Sequence, residues 1–87
     1  MYEVEITPEG LRHLNQLPEK VRNAALSAIF GPIAENSQRL GKPLLGELEG
    51  LHSARRGDYR IIYEISEINR TVQVIYIDHR ADIYRPR

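Results

Sequence analysis

The sequence predicts an α+β fold: a helical hairpin on one face of a small, mainly antiparallel sheet, in the order β-α-α-β-β-β. Three observations predict it. The chain opens on apolar alternation, continues through two apolar stripes at helical spacing, and closes on strand-like runs that flank Gly57-Asp58. Neither an amphipathic helix nor a one-faced sheet can bury its apolar side alone, so the two must pack together.

Tyr2, Val4 and Ile6 alternate with Glu3, Glu5 and Thr7, the period of a strand with one buried face. Thr7-Pro8-Glu9 then marks a helix start. The threonine oxygen can accept from free backbone N–H groups, and proline is tolerated at the first helical position. Leu11, Leu14 and Leu17 follow at helical spacing, and Leu17-Pro18-Glu19 ends that helix and opens a second. Val21, Ala24, Ala25, Ala28 and Ile29 form the second helix's apolar stripe. Gly31-Pro32 is expected to kink or end it, with Ile33 and Ala34 as a short extension. Asn36 through Gly50, with Gly41, Pro43, Gly46 and Gly50, reads as a loop returning the chain to the sheet. Leu51 to Arg56 and Tyr59 to Ile65 then flank Gly57-Asp58, where glycine at the first central position suits a type II′ hairpin turn. A second connection, Ser66 to Arg70, leads to a last strand from Val72 to Asp78.

At 87 residues the chain is expected to form one domain, residues 1–87. A domain this small buries roughly 60 to 65% of the surface its unfolded chain exposes, so its margin of stability is thin. With no cysteine, disulfides and thiolate metal sites are excluded. The three histidines show no zinc-site spacing, so no metal or cofactor is expected. MYEVEITPEG lacks the basic start and apolar run of a secretory signal, and no stretch approaches the roughly 20 apolar residues of a membrane span. A cytoplasmic protein with no membrane partner is therefore expected.

Charge is neutral overall but uneven along the chain. Residues 1–51 hold 5 Lys and Arg against 7 Asp and Glu, while residues 52–87 reverse this to 7 against 5. Arg55, Arg56, Arg60, Arg80, Arg85 and Arg87 are threaded among Tyr59, Tyr63, Tyr76 and Tyr84, a local signature for binding phosphate. If Gly57 and Asp58 are the loop, Arg56 lies opposite Tyr59, Arg55 opposite Arg60, and Ser53 opposite Ile62. Tyr59, Ile61, Tyr63 and Ile65 make the better core set, so Arg55 and Arg60 fall on the other face and Arg56 points away from them. An even register in the next hairpin would add Tyr76 and Arg80 to that face; an odd one would separate Arg80. Like charges paired across strands are unfavourable unless an anion neutralises them. Plain solvation of each arginine is the competing explanation.

From Gly50 onward, GLHSARRGDYRIIYEI followed by VIYIDHRADIYR resembles the RelE side of the RelE/ParE superfamily of toxin-antitoxin proteins. Length, element order, the G-D-Y-R-x-x-Y run and the closing H-R-x-x-x-Y carry the resemblance over nearly the whole chain. It implies a toxin that cleaves messenger RNA in the ribosomal A site, without metal, and is held inactive by a cognate antitoxin. Operator DNA would be met only through that antitoxin. The family's transition-state arginine maps to Arg60, the terminal arginine to Arg80 and the C-terminal tyrosine to Tyr84. Arg55, Arg56 and Ser53 lie on the strand that meets RNA, and Ser53 stands where relatives with a lysine-rich strand carry lysine.

The implied reaction is attack of a ribose 2′-hydroxyl on the adjacent phosphodiester, giving a cyclic phosphate and a 5′-hydroxyl. It needs a base, cations for the phosphorane and an acid for the departing oxygen. Arg60 and Arg55 supply bidentate cations. Tyr84, like any phenol titrating near ~10, needs cationic neighbours to act as base, whereas His79, with an ordinary value of ~6.5, does not. His79 at a sheet end also reads as a structural histidine, and Glu47 and Glu49 rank behind both. Tyr59, Tyr63 and Tyr76 read first as packing residues. Two other functions stay open: a ParE-like gyrase poison without nuclease activity, and a degenerate toxin acting as a co-repressor with its antitoxin.

Overall fold

A computed structural model describes residues 1–46 and 49–79. Its elements run β1 (Glu3–Ile6), α1 (Pro8–Gln16), α2 (Glu19–Ala28), a π-turn (Ile29–Ile33), α3 (Ala34–Leu40), β2 (Lys42–Pro43), β3 (Leu51–Arg56), β4 (Tyr59–Ser66) and β5 (Thr71–His79). The five strands form one sheet in the order β1-β5-β4-β3-β2. The α+β class is as expected, and β1 takes an edge of the sheet, parallel to β5 with Val4 beside Val72 and Ile6 beside Val74. Among the described residues, no helix is long and apolar enough to cross a membrane.

Thr7 starts α1 as the sequence predicts: its Oγ1 accepts from the Gly10 N–H at 3.0 Å, and Pro8 occupies the first helical turn. The same residue ties the helix to the sheet. Its N–H donates to the Val74 carbonyl at 2.9 Å and its hydroxyl to the Ile75 carbonyl. Nearly two turns later the Ile77 N–H donates to His13 Nδ1 at 3.2 Å, so α1 satisfies backbone groups of β5 beyond the end of β1.

The helical segment is longer than the sequence predicts. Pro32 does not end the helical chain: α2 gives way to a π-turn over Ile29–Ile33, and α3 runs from Ala34 to Leu40 with a kink at Asn36, whose φ of −136° and ψ of 47° are not helical. Widening the turn relieves the clash between the proline ring and the carbonyl one turn back. Ile29 and Ile33 are fully buried, and burying an isoleucine contributes about 1.5–3 kcal/mol, enough for the pair to offset the cost of the proline. The expected Asn36–Gly50 loop thus begins at the residue where the helix kinks, but its first residues, as far as Leu40, belong to α3, and β2 follows.

The core lies between the helices and the sheet. Leu14, Ala25, Ile29 and Ile33 pack against Ala54, Ile61, Tyr63, Val72 and Val74. Where the chain leaves α3, Gly41 is needed for close approach. A Cβ there would collide with the Tyr63 hydroxyl and sit 3.1 Å from the Ser53 carbonyl oxygen. Tyr63 donates its buried hydroxyl to the Ser37 carbonyl, so helix end, glycine and tyrosine together hold β2 against β3.

Candidate functional site

The tip of the β3–β4 hairpin sets the geometry. Gly57 takes φ +57° and Asp58 does not have positive φ, as a type II′ turn requires. The predicted register follows: Arg56 opposite Tyr59, Arg55 opposite Arg60, Ser53 opposite Ile62. Ala54, Tyr59 and Ile61 bury themselves under the helices, which turns Arg55 and Arg60 to the opposite face. There they line an open pocket of about 350 Å³ together with Leu40, Lys42, Leu44 and Ser53. Three cationic side chains share a pocket that two leucines keep partly apolar. Such a wall strengthens the field felt by an anion and disfavours any partner that cannot neutralise the charges.

Two residues of this region escape the sequence reading. Lys42 pairs with Ser53 across the short β2–β3 ladder, and so enters the pocket from a segment expected to be loop. A two-residue strand containing proline leaves almost no periodic signal. Asp78 stands opposite Arg60 on β5, giving that arginine a like charge on one neighbouring strand and an opposite charge on the other. The even register considered for this hairpin holds at its outer end, with Arg60 opposite Asp78 and Ile62 opposite Tyr76. A bulge then shifts Tyr63 to face Val74.

The remaining expected residues distribute as follows. Arg56 is on the opposite face from Arg55 and Arg60, its Nη1 donating to the Arg55 carbonyl at 3.3 Å. Glu49 is exposed in a turn, its N–H donating to the Gly46 carbonyl at 3.1 Å. His79 ends β5 at the register position opposite Tyr59, and its side chain lies outside the described residues, as do Glu47, Arg80 and Tyr84.

Burial raises the Tyr59, Tyr63 and Tyr76 phenols above their ordinary value; at Tyr76 the charges of Asp78 and Glu9 push the same way. None of the three is thereby prepared to be a phenolate near neutrality, which agrees with their packing role. His52 is committed to packing, stacked on Tyr63 with ring centroids 5.6 Å apart and planes at 17°. Among the described residues no group of three or more His, Cys, Asp or Glu is placed to hold a metal ion.

Comparison with known proteins gives this site a context. A family described as ParE toxin of type II toxin-antitoxin system, parDE, matches residues 4–84. Toxin RelE of Mycobacterium tuberculosis (strain ATCC 25618 / H37Rv) is 50% identical over 84 residues, covering 97% of this chain and 87% of that protein. Toxin RelG of the same strain is 44% identical over 84 residues, covering 97% of each. Among solved structures, the toxin-antitoxin complex RelBE2 from M. tuberculosis superposes with a TM-score of 0.87 at 40% identity, covering 91% of this chain and 98% of that one. The intact E. coli RelBE complex matches in fold, with a TM-score of 0.75 at 16% identity over 91% of this chain and 96% of that one.

Proposed function

We propose that this chain, which belongs to the ParE toxin family of type II toxin-antitoxin systems within the RelE/ParE superfamily, is a metal-independent endoribonuclease that cuts message on the ribosome. The observation that carries the reading is the pairing of Arg55 with Arg60 at one pocket, together with Lys42. Asp78, opposite Arg60 on β5, offsets part of the repulsion between the arginines, yet the pocket still gathers three cations, and a phosphodiester is the anion that two guanidinium forks and an ammonium would grip best.

In the proposed reaction the ribose 2′-oxygen attacks the neighbouring phosphorus, its proton passing to a base. The bond from phosphorus to the 5′-oxygen breaks as that oxygen takes a proton from an acid, leaving a 2′,3′-cyclic phosphate and a 5′-hydroxyl. Arg60 and Arg55 stabilise the negative charge that builds on the phosphorane. Arg80 is assigned with them, and the proton carrier is Tyr84 or His79, all three by family resemblance. Arg56 and Ser53 complete the expected RNA contacts, with Ser53 in the pocket and Arg56 outside it.

The fold relatives solved as toxin-antitoxin complexes support a cognate antitoxin for this chain as well. A cationic pocket favours an acidic antitoxin segment that competes with RNA phosphate, operator DNA being reached through that antitoxin. The proposed setting is the cytoplasm, where ribosomes are met.

Purified full chain mixed with programmed ribosomes is expected to yield cut message, and Arg60→Ala to reduce the rate by about 100-fold or more. Arg60→Lys is expected to recover little, because a point charge does not replace a fork. Intact message with folded protein overturns the reading. The ParE name of the matching family favours a second reading, a gyrase poison without nuclease activity. That reading expects supercoiling to be inhibited equally by wild type and Arg60→Ala.

A further inference from the structure

We infer that Lys42 is a substrate-binding residue of this pocket, holding a backbone phosphate next to the one the arginines grip. The inference rests on the RNA-cleaving reading above and adds to it a residue from outside the β3–β4 hairpin.

Lys42 is directly opposite Ser53, so the two project to the same face, and Ser53 shares that face with Arg55 and through it with Arg60. All four line one pocket. Serine is short, so the position between Lys42 and the sheet centre presents a small hydroxyl and leaves the space above it open. Lys42 is exposed, carried on β2, whose placement is fixed by the Gly41 approach to Tyr63. A mobile loop lysine would lose its freedom on binding phosphate; on β2 the backbone part of that cost is already met.

Spacing assigns the role. β2 lies two strands from β4, roughly 10 Å away, and Lys42 is offset from Arg60 by two residues along the strands, roughly 7 Å. Side chains from both positions reach a common pocket, but not one phosphate from the same side. Lys42 therefore contributes to holding the RNA strand more than to stabilising the phosphorane.

A competing role exists for a lysine here. Lys42 and Pro43 occupy the outermost strand of the sheet, where lysine and proline discourage pairing with another chain. A residue that only protects the edge leaves the salt dependence of RNA binding unchanged; a phosphate ligand does not.

The test is titration of the full chain with a short fluorescent single-stranded RNA at several salt concentrations. Lys42→Ala is expected to flatten the slope of log K against log salt by about 0.7, the loss of one phosphate contact. Lys42→Arg is expected to keep the slope, and the relocated cation of Lys42→Ala/Ser53→Lys to restore it. On programmed ribosomes, Lys42→Ala is expected to raise KM several-fold while kcat stays within about twofold, whereas Arg60→Ala lowers kcat. An unchanged slope in Lys42→Ala overturns the inference, and aggregation of that variant with an unchanged slope assigns Lys42 to edge protection. If the slope flattens but wild type leaves message intact, cleavage is the reading that fails and the Lys42 contact stands. Absence of RNA binding by wild type overturns both.

Discussion

Arg55 and Arg60 face each other directly across the β3–β4 ladder, one exposed and one partly covered, on the face opposite the buried Ala54 and Ile61. Cross-strand pairs contribute roughly 0.2–1 kcal/mol, and like charges reverse the sign. Arg55→Thr is therefore expected to leave thermal stability equal or higher while weakening RNA binding and cleavage. Paired melting and cleavage measurements check this. A loss of stability in Arg55→Thr would mean that the arginine serves the fold.

Gly41 and Tyr63 anchor β2 as a coupled pair. Gly41→Ala forces its methyl against Tyr63 and is expected to cost about 1–3 kcal/mol, the range for overpacking. Tyr63→Phe removes the hydrogen bond to the Ser37 carbonyl and is expected to cost about 0.5–1.5 kcal/mol. The double variant is expected to be less damaged than the sum, because the hydroxyl that meets the new methyl is gone. The relief is partial, since ring atom Cζ still lies 3.0 Å from the added carbon. Denaturant unfolding of the four proteins measures the coupling.

Alkaline pH tests the buried phenols. Burial raises Tyr63 above the ordinary phenol value of about 10, so the unfolded chain loses that proton first. Stability from this group is then fully present below pH about 10 and is lost as pH rises through the folded-state value. Tyr59 and Tyr76 are shifted the same way. Stability measured from pH 9 upward, to about pH 11, is expected to fall less steeply in Tyr63→Phe than in wild type; parallel curves would show that Tyr63 titrates alike in both states.

These residues also mark what sequence could resolve. The two-residue Gly57-Asp58 turn has few geometries, so it determined every pair from Arg56–Tyr59 to Ser53–Ile62, and the face of the arginines followed by alternation. The connection after β4 is longer and the bulge beside Ile62 shifts the ladder by one residue, so period alone could not establish which β5 residue meets Arg60. Pro32 was legible only in part. Local chemistry favours a kink or an end there, and the α-helix does give way to a π-turn at Ile29–Ile33; that the chain stays helical beyond it is a tertiary effect, the burial of Ile29 and Ile33. Lys42 was hidden by the same segment, because its place opposite Ser53 depends on how far the helix runs before Gly41 turns the chain.

Asp78 supplies the last prediction. It stands opposite Arg60 from the side away from Arg55, so the arginine is flanked by one charge of each sign. The carboxylate favours the fold, offsetting repulsion within the arginine pair, yet it opposes an incoming phosphate at the same position. Asp78→Asn keeps the shape and removes the charge. It is expected to lower stability by up to about 1 kcal/mol, and to tighten RNA binding at low salt. The gain in affinity should shrink as ionic strength rises and the Debye length falls to about 8 Å near 0.15 M salt. Titration of the same RNA oligonucleotide at two salt concentrations reads this directly. If binding weakens instead, the carboxylate acts chiefly by orienting Arg60, and its cost to the phosphate is outweighed.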